Sequence, residues 1–193
     1  MSRAVTTTPC HAGDLTRLIA RFLLLTTVLV LCSPERVQAN GYSQAEYRVK
    51  AAFLYNFARF TTWPEHTSST FRVCILGDAT FNEALDELSG KIVHNETLVT
   101  SHHDNASGLD GCELVYISSS YTGEPGEIID RLQEQSILTV SDIDAFIDQG
   151  GIIGFRIIDD RIRFEINASA AARAGLSISS RLLLLANRVK EKR

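Results

Sequence analysis

Three pairs of small polar residues follow apolar runs and could together line a ligand-binding crevice. The pairs are Gly77-Asp78, Ser118-Ser119 and Ser141-Asp142. In open parallel sheets, ligands bind outside the carboxyl ends of the strands, where these pairs would converge. The alternative, which the sequence favours, is that they are turn and cap residues, because Asp78 and Asp142 occupy positions typical of a turn and a helix cap.

Histidine offers a second kind of chemistry, because the segment His102-His103-Asp104 sets two imidazoles beside a carboxylate. A zinc or copper site needs three or four ligands that converge on one point. Adjacent side chains point apart, and the polar surroundings are typical of a solvated loop. We therefore expect neither a metal nor a cofactor.

Signatures of an enzyme are missing from the sequence. It contains no nucleophile elbow, no phosphate-binding glycine loop and no dinucleotide fingerprint. Ser118, Ser119 and Ser120 carry hydroxyls, yet no histidine can be assigned beside them. Without an acid–base constellation, the sequence favours a protein that is not an enzyme.

The first 39 residues have the order of a secretory signal peptide. Two arginines precede the uncharged run Phe22–Cys32, and Val37-Gln38-Ala39 is a small-residue cleavage signal. The 11-residue run is shorter than the roughly 20 residues that span a bilayer. We predict export to the periplasm and cleavage that leaves one domain, residues 40–193; an uncleaved amino-terminal anchor is the alternative.

Charge and cysteine content fit an exported domain. Residues 1–39 carry four basic and two acidic residues, so residues 40–193 keep 15 basic and 21 acidic residues and a net charge of −6. An acidic domain argues against nucleic acid as a partner. Its two cysteines, Cys74 and Cys112, would pair in an oxidising compartment, which would stabilise the fold by roughly 3–4 kcal/mol. Two buried, unpaired thiols are the alternative.

Predicted strands alternate with predicted helices along the domain. The strands are Phe71–Leu76, Leu114–Ile117, Ile137–Val140, Ile152–Ile158 and Arg161–Ile166, with two short extended pieces between Lys91 and Thr100 around His94-Asn95. Helices are expected to start near Ser43, Thr80, Pro125, Asp142, Asn167 and Ser179 or Ser180, the last one continuing through Val189. This order predicts a three-layer α/β fold, a mainly parallel sheet with helices on both faces and one antiparallel hairpin strand.

The last strand alternates cleanly between apolar and polar residues, and Glu165 lies in its middle, on the polar face that it shares with Arg163 and Asn167. If both faces of the sheet are covered, this carboxylate is partly buried and needs a basic partner. If the strand lies at the sheet edge, the charge is exposed and discourages edge pairing. The sequence leaves both alternatives open.

Several blocks of the sequence, in order, resemble the YfiR family. They are Glu46–Phe60 followed by Trp63-Pro64, then Leu138–Asp142, Gly150–Phe155, Arg163–Asn167 and Ala174–Leu182. The resemblance implies a periplasmic, dimerising protein that represses an inner-membrane diguanylate cyclase, so limiting cyclic di-GMP and surface attachment. The pair Cys74 and Cys112 fits one cysteine pair of the family, and the second pair is absent here.

A regulator of this kind needs a surface that binds one conformation of its partner better than another. The partner would be the periplasmic part of a cyclase or a sensor kinase. We expect the contact to involve the aromatic first helix, with Phe53 and Phe57, and the strand with Arg163, Glu165 and Asn167. The alternative function is a small-molecule binding protein that uses the crevice near Asp78, Ser118, Ser141 and Asp142.

Overall fold

The computed structural model describes residues 40–64, 68–77 and 81–191. The signal-peptide prediction and Asp78 lie outside the described residues. The helices are α1 (Asn40–Phe60), α2 (Asn82–Asp86), α3 (Pro125–Leu132), α4 (Ala168–Arg173) and α5 (Ser180–Leu185), with a 3-10 turn at Leu109–Gly111. The strands are β1 (Thr61–Thr62), β2 (Thr70–Leu76), β3 (Ile92–Val93), β4 (Glu96–His103), β5 (Leu114–Ile117), β6 (Leu138–Ser141), β7 (Ile153–Ile158), β8 (Arg161–Asn167), β9 (Ser177–Ile178) and β10 (Arg188–Lys190).

Eight strands form one mostly parallel sheet in the order β10-β8-β7-β6-β5-β2-β4-β3. The central strands β4, β2, β5, β6 and β7 run parallel, and β8 returns antiparallel to β7. A separate two-stranded sheet pairs β1 with β9. The mixed α/β class and the antiparallel hairpin predicted from the sequence are therefore confirmed.

Alternate residues of the central strands pack into two hydrophobic cores, one on each face of the sheet. Val73 and Ile75 of β2 join the core that contains α1, whereas Cys74 and Leu76 join the core that contains α3. This two-residue period places successive side chains on opposite faces. Helices therefore cover both faces, which confirms the three-layer prediction.

Helix α1 is the main buried helix, and its aromatic stripe packs against the β7–β8 hairpin. Phe57 is fully buried, with its ring centroid 5.0 Å from that of Phe164 and 5.7 Å from that of Phe155. The helix begins at Asn40, three residues before the predicted cap at Ser43. Among the described residues, no helix combines the length and hydropathy needed to cross a bilayer.

Two helix predictions are wrong. The segment after Asp142 forms turns, because Ala145 has a positive φ of 56° that an α-helix does not allow. The final helix ends at Leu185, and β10 follows it in place of more helix. Strand β10 pairs in parallel with Glu165–Asn167, which satisfies backbone groups of β8 that would otherwise face solvent.

The histidine segment also differs from its prediction as a solvated loop. His102 and His103 are half-buried residues of β4, paired with Ile75 and Leu76 of β2. The sequence predicts extended structure only as far as Thr100, and the strand continues through His103 because it pairs with β2 along its whole length. Their side chains point apart, as predicted.

An exposed cluster of ion pairs connects β10 to the turn before β7. Arg188 donates two hydrogen bonds to the carboxylate of Asp148, at 3.0 and 2.6 Å, and Lys190 Nζ lies 3.2 Å from the same group. These hydrogen bonds lower the pKa of Asp148 to about 2. A carboxyl whose pKa is lower in the folded state stabilises the fold above its unfolded pKa and loses that contribution as the pH falls.

We expect Asp148→Asn to lower the free energy of unfolding at pH 7 by less than about 1 kcal/mol, since the pairs are exposed and screened. The difference from the parent should shrink between pH ~4 and ~2, where the folded carboxyl becomes protonated. Urea unfolding at several pH values measures this. Asp130→Asn, at an exposed position of α3, is the control; a difference for Asp148→Asn that does not change with pH would contradict the prediction.

Candidate functional site

A cavity of about 370 Å³ lies at the carboxyl ends of β5 and β6, the edge of the sheet where the sequence offered a crevice as the less favoured alternative. Ser119 follows β5 and Asp142 follows β6. The cavity is lined by polar residues Glu46, Lys50, Ser119, Asp142, Asp144 and Arg156 and by apolar residues Phe155, Ile157 and Ile162.

Two elements build the walls above the strand ends. Strand β6 stops at Ser141, opposite Gly154, whereas β7 continues to Ile158 before the turn into β8. The hairpin therefore extends past its neighbour and supplies the apolar wall. The amino-terminal half of α1 supplies the polar wall through Glu46 and Lys50.

A buried lysine is the centre of the polar wall. Lys50 is only 4% exposed, and its Nζ lies 2.7 Å from Asp142 Oδ2 and 2.7 Å from Glu46 Oε1. The other oxygen of Asp142, Oδ1, accepts a hydrogen bond of 2.7 Å from the backbone N–H of Ser119. Asp142 thus joins α1 to the ends of two strands.

The carboxylates of Asp142 and Glu46 keep the buried Lys50 protonated. Burial alone would lower the pKa of Lys50, but hydrogen bonds from its ammonium to Asp142 and Glu46 outweigh burial and raise that pKa. Burial and the negative charge of Asp142 raise the pKa of the Tyr116 hydroxyl. A protonated lysine is neither a nucleophile nor a general base at neutral pH, so the cluster suits binding and positioning of charge.

The hydroxyls of Ser118 and Ser141, the two candidate crevice serines, form hydrogen bonds with backbone groups. Ser141 Oγ donates to the carbonyl oxygen of Ile117 at 2.6 Å and accepts from the N–H of Ile143 at 3.0 Å. Ser118 Oγ accepts from the N–H of Ser120 at 3.2 Å. These contacts are the turn roles that the sequence favoured. Asp142, in contrast, caps no helix.

Sequence reasoning missed Glu46 and Lys50, although a signal was present. Position 50 falls on the helical stripe that also contains Ala51 and Leu54, both buried. A lysine on the buried face of a helix needs a carboxylate partner, and Glu46 is one turn before it.

A sequence model of the YfiR/HmsC-like family matches residues 47–187, most of the chain. The chain belongs to the YfiR/HmsC-like family. Among solved structures, it is similar to a conserved domain protein from Vibrio cholerae O1 biovar El Tor strain N16961, with a TM-score of 0.52 and 10% sequence identity. The alignment covers 75% of this chain and 60% of that protein, and at this identity it shows the fold alone.

In this YfiR/HmsC-like domain, the cysteine pairing predicted from the sequence is confirmed. Cys74 in β2 and Cys112, just before β5, form a disulfide with a Cα–Cα distance of 6.0 Å. Both cysteines are buried in the core beneath α3. The bond links two strands that are already neighbours in the sheet.

The residues predicted to bind a partner occupy different depths in the YfiR/HmsC-like fold. Phe57 and Asn167 are buried, and Phe53 is half-buried against the β7–β8 hairpin. Asn167 caps α4 by accepting from the N–H of Ala170 at 3.0 Å. Arg163 is exposed. Partner binding by these residues stays a prediction.

Glu165 is partly buried and has a basic partner, which is the first of the two arrangements that the sequence left open. Its side chain is 13% exposed, and Oε2 lies 3.6 Å from Arg188 of β10. Because β10 covers this side of β8, the carboxylate does not lie at a free sheet edge. The basic partner that a buried carboxylate needs is therefore supplied within the chain.

Proposed function

We propose that this chain is an exported periplasmic regulator that binds the periplasmic part of an inner-membrane diguanylate cyclase and holds it inactive. The observation that carries the proposal is the family match over residues 47–187. The buried disulfide supports an oxidising compartment, where such bonds persist. A sensor kinase is the alternative partner, and a second copy of the chain would complete a dimer.

Arg163 is the residue of the proposed surface best placed to contact a partner. It is exposed on β8, and it has no ion-pair partner among the residues that the structure describes. Glu165 is paired with Arg188, and Phe57 packs in the core, so both would act by holding the strand and helix in place. Exposed charges at an interface set orientation and exclude wrong partners.

Reversing the charge of Arg163 tests the proposed partner surface most directly. We expect Arg163→Glu to weaken binding of the partner at least about tenfold, because like charges that meet at an interface are costly. Arg161→Glu is the matched control, since it places the same change two residues away on the same face of β8. The readout is cellular cyclic di-GMP in a deletion strain that expresses each variant.

Repression predicts that deletion raises cyclic di-GMP, that the parent and Arg161→Glu restore the low level, and that Arg163→Glu does not. Periplasmic amounts of the variants are compared by immunoblot, so that loss of folding is recognised. Unchanged cyclic di-GMP on deletion would remove a cyclase from the mechanism. Equal behaviour of the two variants would remove Arg163 from the surface.

The cavity supports a second candidate function, binding of a small molecule. Its volume of about 370 Å³ lies within the range of small-molecule sites, and it combines an apolar wall with a few placed charges. A ligand that binds only the folded state must raise the melting temperature. A thermal-shift screen against small polar metabolites therefore tests it; a rise that Arg156→Ala reduces would locate the ligand in this cavity, and no rise would leave the regulator proposal alone.

A further inference from the structure

An imidazole lies beside the disulfide on the face of the sheet opposite the candidate cavity. The Cys74 and Cys112 sulfurs and a ring nitrogen of His103 all lie within 4.8 Å of one another. The strand register explains this arrangement. Cys74 is opposite Ser101 in the β2–β4 pair, and His103, two residues further along β4, projects from the same face.

Ser101 connects the two halves of this cluster. Its hydroxyl donates a hydrogen bond of 3.2 Å to Cys74 Sγ, and the same oxygen lies 3.0 Å from His103 Nε2. The cysteines are buried, whereas His103 is half-buried and Ser101 is exposed. The sulfurs are therefore held rigidly, and solvent reaches the cluster from the side of β4.

With the disulfide intact, both sulfurs are bonded to each other and offer no thiolate. A dithiol reductant changes this. Two electrons and two protons from the reductant convert the disulfide into two thiols, while the reductant is oxidised to its own disulfide. The folded chain then presents two thiols and one imidazole at one place, the donor set of a Cys₂His metal site.

We propose that the reduced protein binds one Zn²⁺ through Cys74, Cys112 and His103. Binding converts both thiols into thiolates and releases two protons, and the imidazole ligates in its neutral form. Zn²⁺ suits thiolate and imidazole donors, and three protein ligands leave its fourth position to water. Ser101 would hydrogen-bond a ligated sulfur and orient it, as neighbouring groups do in zinc sites.

The assignment goes beyond the proposed repression and is tested without it. Oxidised and dithiothreitol-reduced protein, freed of reductant under anaerobic conditions, is titrated with Zn²⁺ in competition with a chromophoric chelator. We expect one Zn²⁺ per chain after reduction and none before. His103→Ala should weaken binding at least about tenfold, because loss of even an outer contact costs that much.

His102→Ala is the matched control, because its side chain lies on the other face of the same strand and the substitution should leave zinc affinity unchanged. Oxidised His103→Ala, judged by circular dichroism, shows whether the variant folds. Co²⁺ in place of Zn²⁺ should give the charge-transfer absorption of two sulfur ligands, and Ser101→Ala should weaken binding less than His103→Ala.

Three outcomes would overturn the site. One is an equal loss of affinity in His102→Ala and His103→Ala, which would mean nonspecific binding by thiols. Another is reduced protein that unfolds and does not regain its near-ultraviolet circular dichroism when Zn²⁺ is added. The third is reduced, folded protein that takes up Cu⁺ but no Zn²⁺, which would assign the donor set to a different ion.

Discussion

Replacing Lys50 with methionine is expected to lower the free energy of unfolding by about 3–5 kcal/mol. The Lys50 ammonium lies between two carboxylates at 2.7 Å, and the Asp142 side chain is only 17% exposed. Without the lysine, the Asp142 carboxylate is left in a buried place without its ammonium partner, although the N–H of Ser119 still donates to it. An uncompensated buried charge costs far more than a lost surface pair.

The matched control is Arg48→Met on the same helix. Arg48 pairs with Glu87 at 3.5 Å, but both side chains are more than half exposed, so the change should stay within about 1 kcal/mol. Equilibrium unfolding in urea measures both variants. Similar losses for the two would contradict the assignment of Lys50 to a buried ion pair.

A double substitution separates the pair from simple packing. Adding Asp142→Asn to Lys50→Met removes the stranded charge but keeps an oxygen for the N–H of Ser119. We expect part of the lost stability to return, because replacing both partners of a buried pair costs less than removing one. No recovery would mean that Lys50 acts through its aliphatic stem.

Alkaline pH gives an independent check. The pKa of Lys50 is raised in the folded state, so its contribution is complete below the unfolded value of about 10.5 and is lost as the pH rises through the folded value. The difference in stability between Lys50→Met and the parent should therefore be constant near neutral pH and shrink above pH ~10. A difference that stays constant into that range would contradict the ion pair.

Elements that depend on contacts between residues close together in the chain were predictable from the sequence. Asn167 was expected to cap α4, and it does, because the bond from its side chain to the N–H of Ala170 spans three residues. The β7–β8 hairpin follows from the turn at Asp159-Asp160, where both residues have positive φ. In each case the signal and the structure lie within a few residues of each other.

Elements fixed by distant partners were not predictable. Asp142 was expected to cap a helix, but its carboxylate binds Lys50, 92 positions away in the chain, and the segment after it turns. Arg188 and Val189 were expected to continue a helix, yet they pair with β8. Local propensity is a weak prior that such tertiary contacts override.

The candidate site likewise combines contacts that the sequence predicts with contacts that only long-range packing explains. Parallel strands bring their carboxyl ends to one edge, so the proximity of Ser119 and Asp142 followed from the order of elements alone. Glu46 and Lys50 enter from α1, and only packing of that helix places them over the strand ends. His103 entered the disulfide cluster through the register of β2 and β4, which its polar sequence did not reveal.

Removal of the disulfide is expected to cost about 3–4 kcal/mol. The bond closes a 38-residue separation and restricts the unfolded chain, which is the main source of its stabilisation in the chain-entropy account. Cys74→Ala with Cys112→Ala should lose this contribution together with a smaller packing loss, because both sulfurs are buried in the core. Urea unfolding against the oxidised parent measures the sum.

Reduced parent protein separates the two contributions, because it keeps both sulfur atoms and lacks only the bond. In the presence of a chelator, which prevents the proposed zinc binding, it should lose most of the 3–4 kcal/mol, and the alanine variant somewhat more. Reduced protein within about 1 kcal/mol of the oxidised form would mean that the neighbouring strands β2 and β5 already hold the cysteines together and that the bond adds little. That result would also leave the reduced chain folded, the state in which Cys74, Cys112 and His103 can act as ligands.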